Sequence, residues 1–382
     1  MIPLAVPNLV GREAEYLQRC VDSTFVSSVG PFVEQFEHAI AAAAGATGAV
    51  AVSSGTTGLH LALTAIGVRR GDLVILPSLT FIASANAIAH CGADPWLFDI
   101  AVDSWTLDPT QVERTLERRL DQGPDGPVEQ ETGRRLAAIM PVHTLGHPAD
   151  LEPLAKIGHR FGVPIVADAA AALGARYRGQ PIGAAGTTAS VFSFNGNKTV
   201  TSGGGGAVAS DDPALLRRAR HLSTTARVGE EYDHDEVGYN YRMTNLQAAV
   251  GCAQLEQLDD FVATKRRVQA TYHERLTDLP GIKRFPEAEW AESAAWFAGV
   301  VLEGWTHDGV RALRADLRQA GIDARPFWKP MHHQRPYADA PREDLAVTEG
   351  LWPTILTLPC STGITDDELD YVATTVRDRL TR

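Results

Sequence analysis

Seven short apolar runs, beginning near Ala49, Leu73, Pro95, Ala137, Pro164, Ser190 and Ala207, are separated for the most part by segments of helical periodicity. After the first run, Leu59, Leu63 and Ile66 recur at helical spacing, and residues 109–120 and 150–161 read as helices between later runs. Strands alternating with helices predict an α/β fold: a mainly parallel sheet covered by helices on both faces. In such sheets ligands gather at the carboxyl ends of the strands.

The junction after the sixth run is the most unusual. Residues 190–210, SVFSFNGNKTVTSGGGGAVAS, read as a buried strand, a polar turn with one lysine, Lys198, a glycine run and a second strand. An ammonium held near apolar groups is costly to desolvate and loses its proton readily. A neutral amine is what attack on a carbonyl requires, including the Schiff-base chemistry of pyridoxal phosphate. A surface turn with an ordinary lysine is the other reading. Composition favours the first, because only five of the thirty-five cationic side chains are lysine and arginine cannot supply a free amine. Glycines 203–206 would let backbone approach a flat ligand closely.

Other strand ends carry matching chemistry. Ser54, Gly55 and Thr56 place a hydroxyl-rich turn at a helix N-terminus, where amide groups and the helix dipole favour a phosphate, although a plain helix cap also explains them. Phe81 follows the second run and could stack on a pyridine ring or serve as core. Asp168 closes an apolar strand, a costly place for a carboxylate without a cation, and a protonated pyridine nitrogen would be such a partner. His143 and His147 leave the fourth run in HTLGHPAD as possible substrate or cofactor contacts; a metal pair lacks a third ligand nearby in sequence. His332 and His333, adjacent in a loop read as extended, should point apart. The Gly/Pro-rich stretch 121–135 reads as a surface loop.

A formal charge of −12 argues against nucleic-acid binding. The absence of an eighteen-residue apolar run or of a signal-like N-terminus points to a soluble, cytoplasmic protein without a membrane partner. Four scattered cysteines read as free thiols.

The ordered motifs SSGTTGL, PSLTFIASANA, ADAAAALGA, SFNGNKTVTSGGGG and GYNYRMTN resemble those of the DegT/DnrJ/EryC1/StrS sugar aminotransferases over essentially the whole chain. That resemblance implies the aspartate-aminotransferase fold (fold type I): a seven-stranded sheet in residues 1–245 and a smaller α+β domain in 246–382 that begins with a long connecting helix. It implies pyridoxal 5'-phosphate held by Lys198 as Schiff base, with Asp168 at the ring nitrogen. Ser54, Gly55, Thr56 and Ser193 would hold the phosphate, and Phe81 would lie on the ring. Asn240 would reach the phosphate of the neighbouring subunit, so a homodimer with shared sites is expected. Ser27, with Gly30, and Asn195, Arg325 and His332 would lie on the sugar side, and Arg325 or Lys329 could meet a pyrophosphate. The implied reaction moves an amino group from an amino acid, glutamate in most of the family, to a nucleotide-linked keto sugar, with C4 of a 4-keto-6-deoxy hexose, often N-acetylated, favoured. Action at C3, whether amination or dehydration, and a non-catalytic cofactor-binding regulator are the alternatives; the dehydratase branch has histidine where this chain has Lys198. One departure stands out: many members carry glutamine three residues after the aspartate, contacting the cofactor's phenolic oxygen, and this chain has Ala171.

Overall fold

The computed structural model describes residues 1–183 and 185–381. The seven apolar runs become β1 (Gly48–Val52), β2 (Leu73–Pro77), β3 (Asp94–Phe98), β4 (Leu136–Ile139), β5 (Val166–Asp168), β6 (Ala189–Ser193) and β7 (Gly206–Ser210). Their spatial order is β3, β2, β4, β5, β6, β7, β1, with β4 and β5 meeting through the bridges Ile139–Ile165 and Val142–Asp168. All are parallel except β7, which runs against both β6 and β1. Residues 194–205, between β6 and β7, form no helix that could carry the chain across the sheet; the chain turns back on itself, and this turn carries Lys198.

Strand alternation divides the core between the two faces of the sheet. Ala49, Ile75 and Phe192 pack in one cluster with Phe36, Ile40 and Phe194; Val50, Val74 and Val191 pack in another with Leu59 and Leu63. Both faces are apolar, which is why the strands read as continuous rather than alternating runs. Phe192 and Phe194, each 1% exposed, contribute about 1.5–3 kcal/mol apiece by burial and anchor the start of the lysine turn.

The C-terminal sheet is antiparallel, in the order Ile282–Lys283, Ala298–Leu302, Ile355–Leu358, Arg325–Pro326. Its core includes Val300, Leu302 and Leu356 together with Leu313 and Leu317 of the helix His307–Gln319 and Val372 and Val376 of the helix Asp366–Leu380. The long helix expected after residue 245 is two helices, Asn245–Leu255 and Leu258–Leu276, because Gln257 leaves helical conformation at φ −114° and ψ 10°. Ala248, Ala249 and Ala253 of the first pack in the large-sheet core, while Val268, Tyr272 and Leu276 of the second join the C-terminal core.

The stretch read as a surface loop contains a hairpin, Leu120–Gly123 against Gly126–Glu129. Gly126, at φ +121°, provides the turn, and buried Glu129 holds the end by accepting from the backbone of Glu131 and Thr132 and from Arg119. The four cysteines are free thiols. Among the described residues no helix is long and apolar enough to cross a membrane.

Candidate active site

A cavity of about 520 Å³ opens at the carboxyl ends of the central strands, closed on its far side by Trp296, Phe297, Phe327 and Trp328 from the C-terminal part. Lys198 enters it from the turn after β6. Its Nζ lies 3.7 Å from the centre of the Trp296 ring, and Trp296 Nε1 donates to the Asn197 carbonyl at 2.6 Å, which fixes the indole beneath the amine. Burial pushes the Lys198 ammonium down to about 8, against the opposing pull of Asp168. About a tenth of the amine is then neutral at pH 7, far more than for a solvated lysine.

A second buried lysine shows what a structural one looks like. Lys265 donates to the carbonyls of Trp296 and Cys360 at 3.0 and 2.6 Å. Scarcity of lysine in the sequence does not separate the two; their partners do.

Asp168 ends β5 on the cavity floor and is 6% exposed. Ser84 Oγ donates to one carboxylate oxygen at 2.6 Å and the Ala170 N–H to the other at 3.0 Å. Burial nevertheless raises the Asp168 pKa, with these two donors and Lys198 opposing it. The carboxylate is therefore oriented yet short of positive charge, the condition that a protonated ring nitrogen relieves. Ser84 was not recognised in the sequence. Its signal is a lone hydroxyl in IASANAIAH, one turn beyond Thr80, whose Oγ1 lies 2.9 Å from Ser84 Oγ.

Ser54 caps the helix Gly55–Ala65 by accepting from the Thr57 N–H at 3.1 Å, so the cap and phosphate readings coexist: the helix start that needs a cap also faces the cavity. Ser54, Gly55 and Thr56 line it with Ser193, Gly204 and Gly205. The glycine requirement is steric. A Cβ on Gly206 would lie 2.6 Å from the Ser54 carbonyl, and one on Gly55 would lie 2.8 Å from Ser193 Cβ. The close approach the glycines permit is thus of one cavity wall to the other.

Phe81 is 53% exposed, which removes the core reading, and its ring stands 5.8 Å from that of Trp328 at the cavity edge. Asn195 and Arg325 also line the cavity, Arg325 being paired to Asp323 at 2.8 Å. His143 lines it too, with Nδ1 accepting from the Ala149 N–H at 2.9 Å. Trp296 was missed in the sequence because it adjoins the apolar run of the next strand and reads as core.

Four expected contacts lie outside the cavity, as does Asn240, which was expected to serve the neighbouring subunit. His147 is buried away from the cavity, with Nδ1 donating to the Pro148 carbonyl at 2.9 Å and Nε2 accepting from the Ala288 N–H at 3.2 Å; both nitrogens are used structurally. Ser27 is exposed and only its carbonyl is engaged, by the Asn245 N–H at 2.6 Å. Gly30 is a glycine because a Cβ would meet the Asn245 side chain at 2.4 Å. His332 bonds Ser78 through Nδ1 and Glu349 through Nε2, both at 2.7 Å, outside the cavity. Asn240 is exposed, also outside the cavity of its own chain. In addition, residues 331–333 form a short 3-10 turn rather than an extended loop, so the His332 and His333 rings lie 4.2 Å apart and both Nε2 atoms face Glu349.

An anion cup at a helix start, a buried carboxylate short of a cation and a lysine of lowered pKa fit pyridoxal phosphate at its phosphate, ring nitrogen and carbonyl carbon respectively. The pattern of the DegT/DnrJ/EryC1/StrS aminotransferase family matches residues 7–377. GDP-perosamine synthase of Caulobacter vibrioides is 38% identical over 374 residues, covering 97% of this chain and 96% of that protein. The enzyme of the same name from Escherichia coli O157:H7 is 34% identical over 378 residues, covering 99% and 98%. Among solved structures, DesV of S. venezuelae in complex with a ketimine intermediate superposes with a TM-score of 0.86 at 35% identity, covering 97% of this chain and 95% of that one. DesI, solved in the presence of its TDP-sugar product, gives 0.86 at 32% identity, covering 100% and 92%. The chain belongs to the DegT/DnrJ/EryC1/StrS aminotransferase family and is a pyridoxal phosphate-dependent nucleotide-sugar aminotransferase.

Proposed function

We propose, on the strength of that membership, that this enzyme transfers the amino group of L-glutamate to C4 of a nucleotide-linked 4-keto-6-deoxy hexose. The observation that supports amino transfer most directly is Lys198, its pKa lowered to about 8, in one cavity with Asp168. Nucleotide-sugar use is supported by relatives named for a GDP-linked amino sugar and by a structural neighbour solved with a TDP-sugar product.

Bound pyridoxal phosphate supplies an electron sink for the carbanion left when a proton is removed from the amine-bearing carbon. The protein's own groups do the rest. Ser54, Gly55, Thr56 and Ser193 would hold the phosphate, and Asp168, steadied by Ser84, would keep a proton on the ring nitrogen. Lys198 Nζ, once free, would take the proton from the donor's α-carbon and hold it for return, and would serve the keto sugar in the opposite sense. Trp296 and Trp328 shield that amine from bulk water. Arg325, at the rim of the cavity, is placed to meet a substrate phosphate if it releases Asp323.

The test is to add glutamate to the purified holoenzyme and then to offer GDP- and TDP-linked 4-keto-6-deoxy sugars. The expected outcome is loss of the visible band with glutamate, its return with the sugar, and a 4-amino product by NMR. A product aminated at C3 would overturn the C4 assignment; a band indifferent to glutamate would overturn the donor.

The active unit we propose is a homodimer in cytoplasm, in which Asn240 completes the phosphate site of the neighbouring subunit. Its exposed position outside its own cavity supports this, as do the exposed apolar side chains Val26, Val29, Tyr232 and Val237. Mixing inactive Lys198→Ala and Asn240→Ala subunits should restore up to about a quarter of wild-type activity, because one site of each hybrid dimer is then intact. No recovery after demonstrated subunit exchange would rule out the shared site.

A further inference from the structure

We propose that His143 donates a hydrogen bond from Nε2 to the phenolic oxygen of bound pyridoxal phosphate, filling the role that Ala171 leaves vacant; the proposal rests on the cofactor assignment above.

The His143 ring is 1% exposed, and its Nδ1 accepts from the Ala149 N–H at 2.9 Å. Its proton therefore sits on Nε2. That nitrogen is buried, and among the described residues it has no hydrogen-bond partner. Buried donors are rarely left unmade without a reason, and this one belongs to a ring that lines the cofactor cavity. Burial, with a smaller contribution from His147, pushes its pKa down to about 3, so the ring stays neutral and offers a donor rather than a charge.

The order of the strands says which part of the cofactor it faces. On the pyridine ring the carbon that bonds the lysine lies opposite the nitrogen, flanked on one side by the phosphate arm and on the other by the phenolic oxygen. Asp168, on β5, marks the nitrogen and Lys198 the opposite carbon. The phosphate cup is built from the turn after β1, from Ser193 of β6 and from the glycines before β7, all on one side of β5. The phenolic oxygen must then point to the other side, toward β4. His143 leaves the end of β4, its N–H bonded to the Asp168 carbonyl at 3.0 Å. Ala171 lines the same cavity with a methyl group that can donate nothing.

A donor at this oxygen draws off negative charge that would otherwise hold the proton on the neighbouring lysine-cofactor nitrogen. Removing it should raise the pH at which that proton is lost. The experiment is a pH titration of the visible absorption of the reconstituted enzyme without substrates. His143→Leu is expected to raise the midpoint by about one pH unit, while His143→Asn, which keeps an amide donor, stays near wild type. Ala171→Gln in the leucine background should bring the midpoint back down. A folded His143→Leu enzyme with a visible band and the wild-type midpoint would overturn the proposal. Should the leucine variant fail to fold, the Nε2–H resonance of His143 in ¹⁵N-labelled wild-type protein decides: it is expected to move downfield when pyridoxal phosphate is added to the apoprotein, and an unmoved resonance would overturn the proposal. Failure of the wild type to develop any visible band would instead overturn the cofactor assignment, and this proposal with it.

Discussion

Lys198→Ala is expected to lower the rate of amino transfer by at least about 10⁴-fold, the upper end of what loss of a general acid-base costs, because one amine both holds the cofactor and moves the proton. The fold should survive, since Lys198 Nζ touches the Trp296 ring and Lys198 sits in a turn between strands whose cores are formed by other residues. The measurement is a single-turnover reaction of the variant with glutamate, followed by absorbance, alongside its circular dichroism spectrum. A variant that turns over within tenfold of wild type would remove Lys198 from the mechanism. Wild-type apoprotein provides the pH counterpart. The free Lys198 amine loses its proton near 8, so the rate of cofactor attachment should rise about tenfold per pH unit below that value and level off above it.

Much of this site could be read from the chain because its residues break the local pattern. Lys198 sits between two apolar strands, and Asp168 ends a third. Both discords are costly unless chemistry explains them, which is why they stand out. The sheet was equally legible: both of its faces are buried, so each strand is a continuous apolar run. Residues that obey their surroundings were invisible. Trp296 reads as core and Ser84 as a tolerated helix residue, and only the folded chain shows that one lies under Lys198 and the other bonds Asp168 at 2.6 Å. His147 misled for the converse reason. A histidine in a loop after a strand looks functional, yet here both nitrogens are absorbed by backbone, at Pro148 and Ala288. His332 and His333 depended on a local 3-10 turn that no periodicity over three residues can announce.

Asp168→Asn should separate the cost of the buried carboxylate from its use. In the cofactor-free protein burial raises the Asp168 pKa above its unfolded value, so its contribution to stability is fully present at pH below the unfolded value of 3.8 and is lost as pH rises through the higher folded value. In the apoprotein burial thus works against ionisation of this carboxyl, opposed by its two hydrogen-bond donors and by Lys198. The asparagine variant, which keeps much of the shape without the charge, is expected to melt no lower than wild type as apoprotein at pH 7. With pyridoxal phosphate the order should invert, because the ring nitrogen supplies the missing cation only to the carboxylate. Activity should fall by about 10²–10³-fold, the usual loss when a preorganised electrostatic partner of the reacting group is removed. Thermal melts of both proteins with and without cofactor, paired with glutamate half-reaction rates, provide the check. If pyridoxal phosphate stabilised both proteins equally and the half-reaction ran at the wild-type rate, Asp168 would be a structural residue, and the ring nitrogen would need another partner.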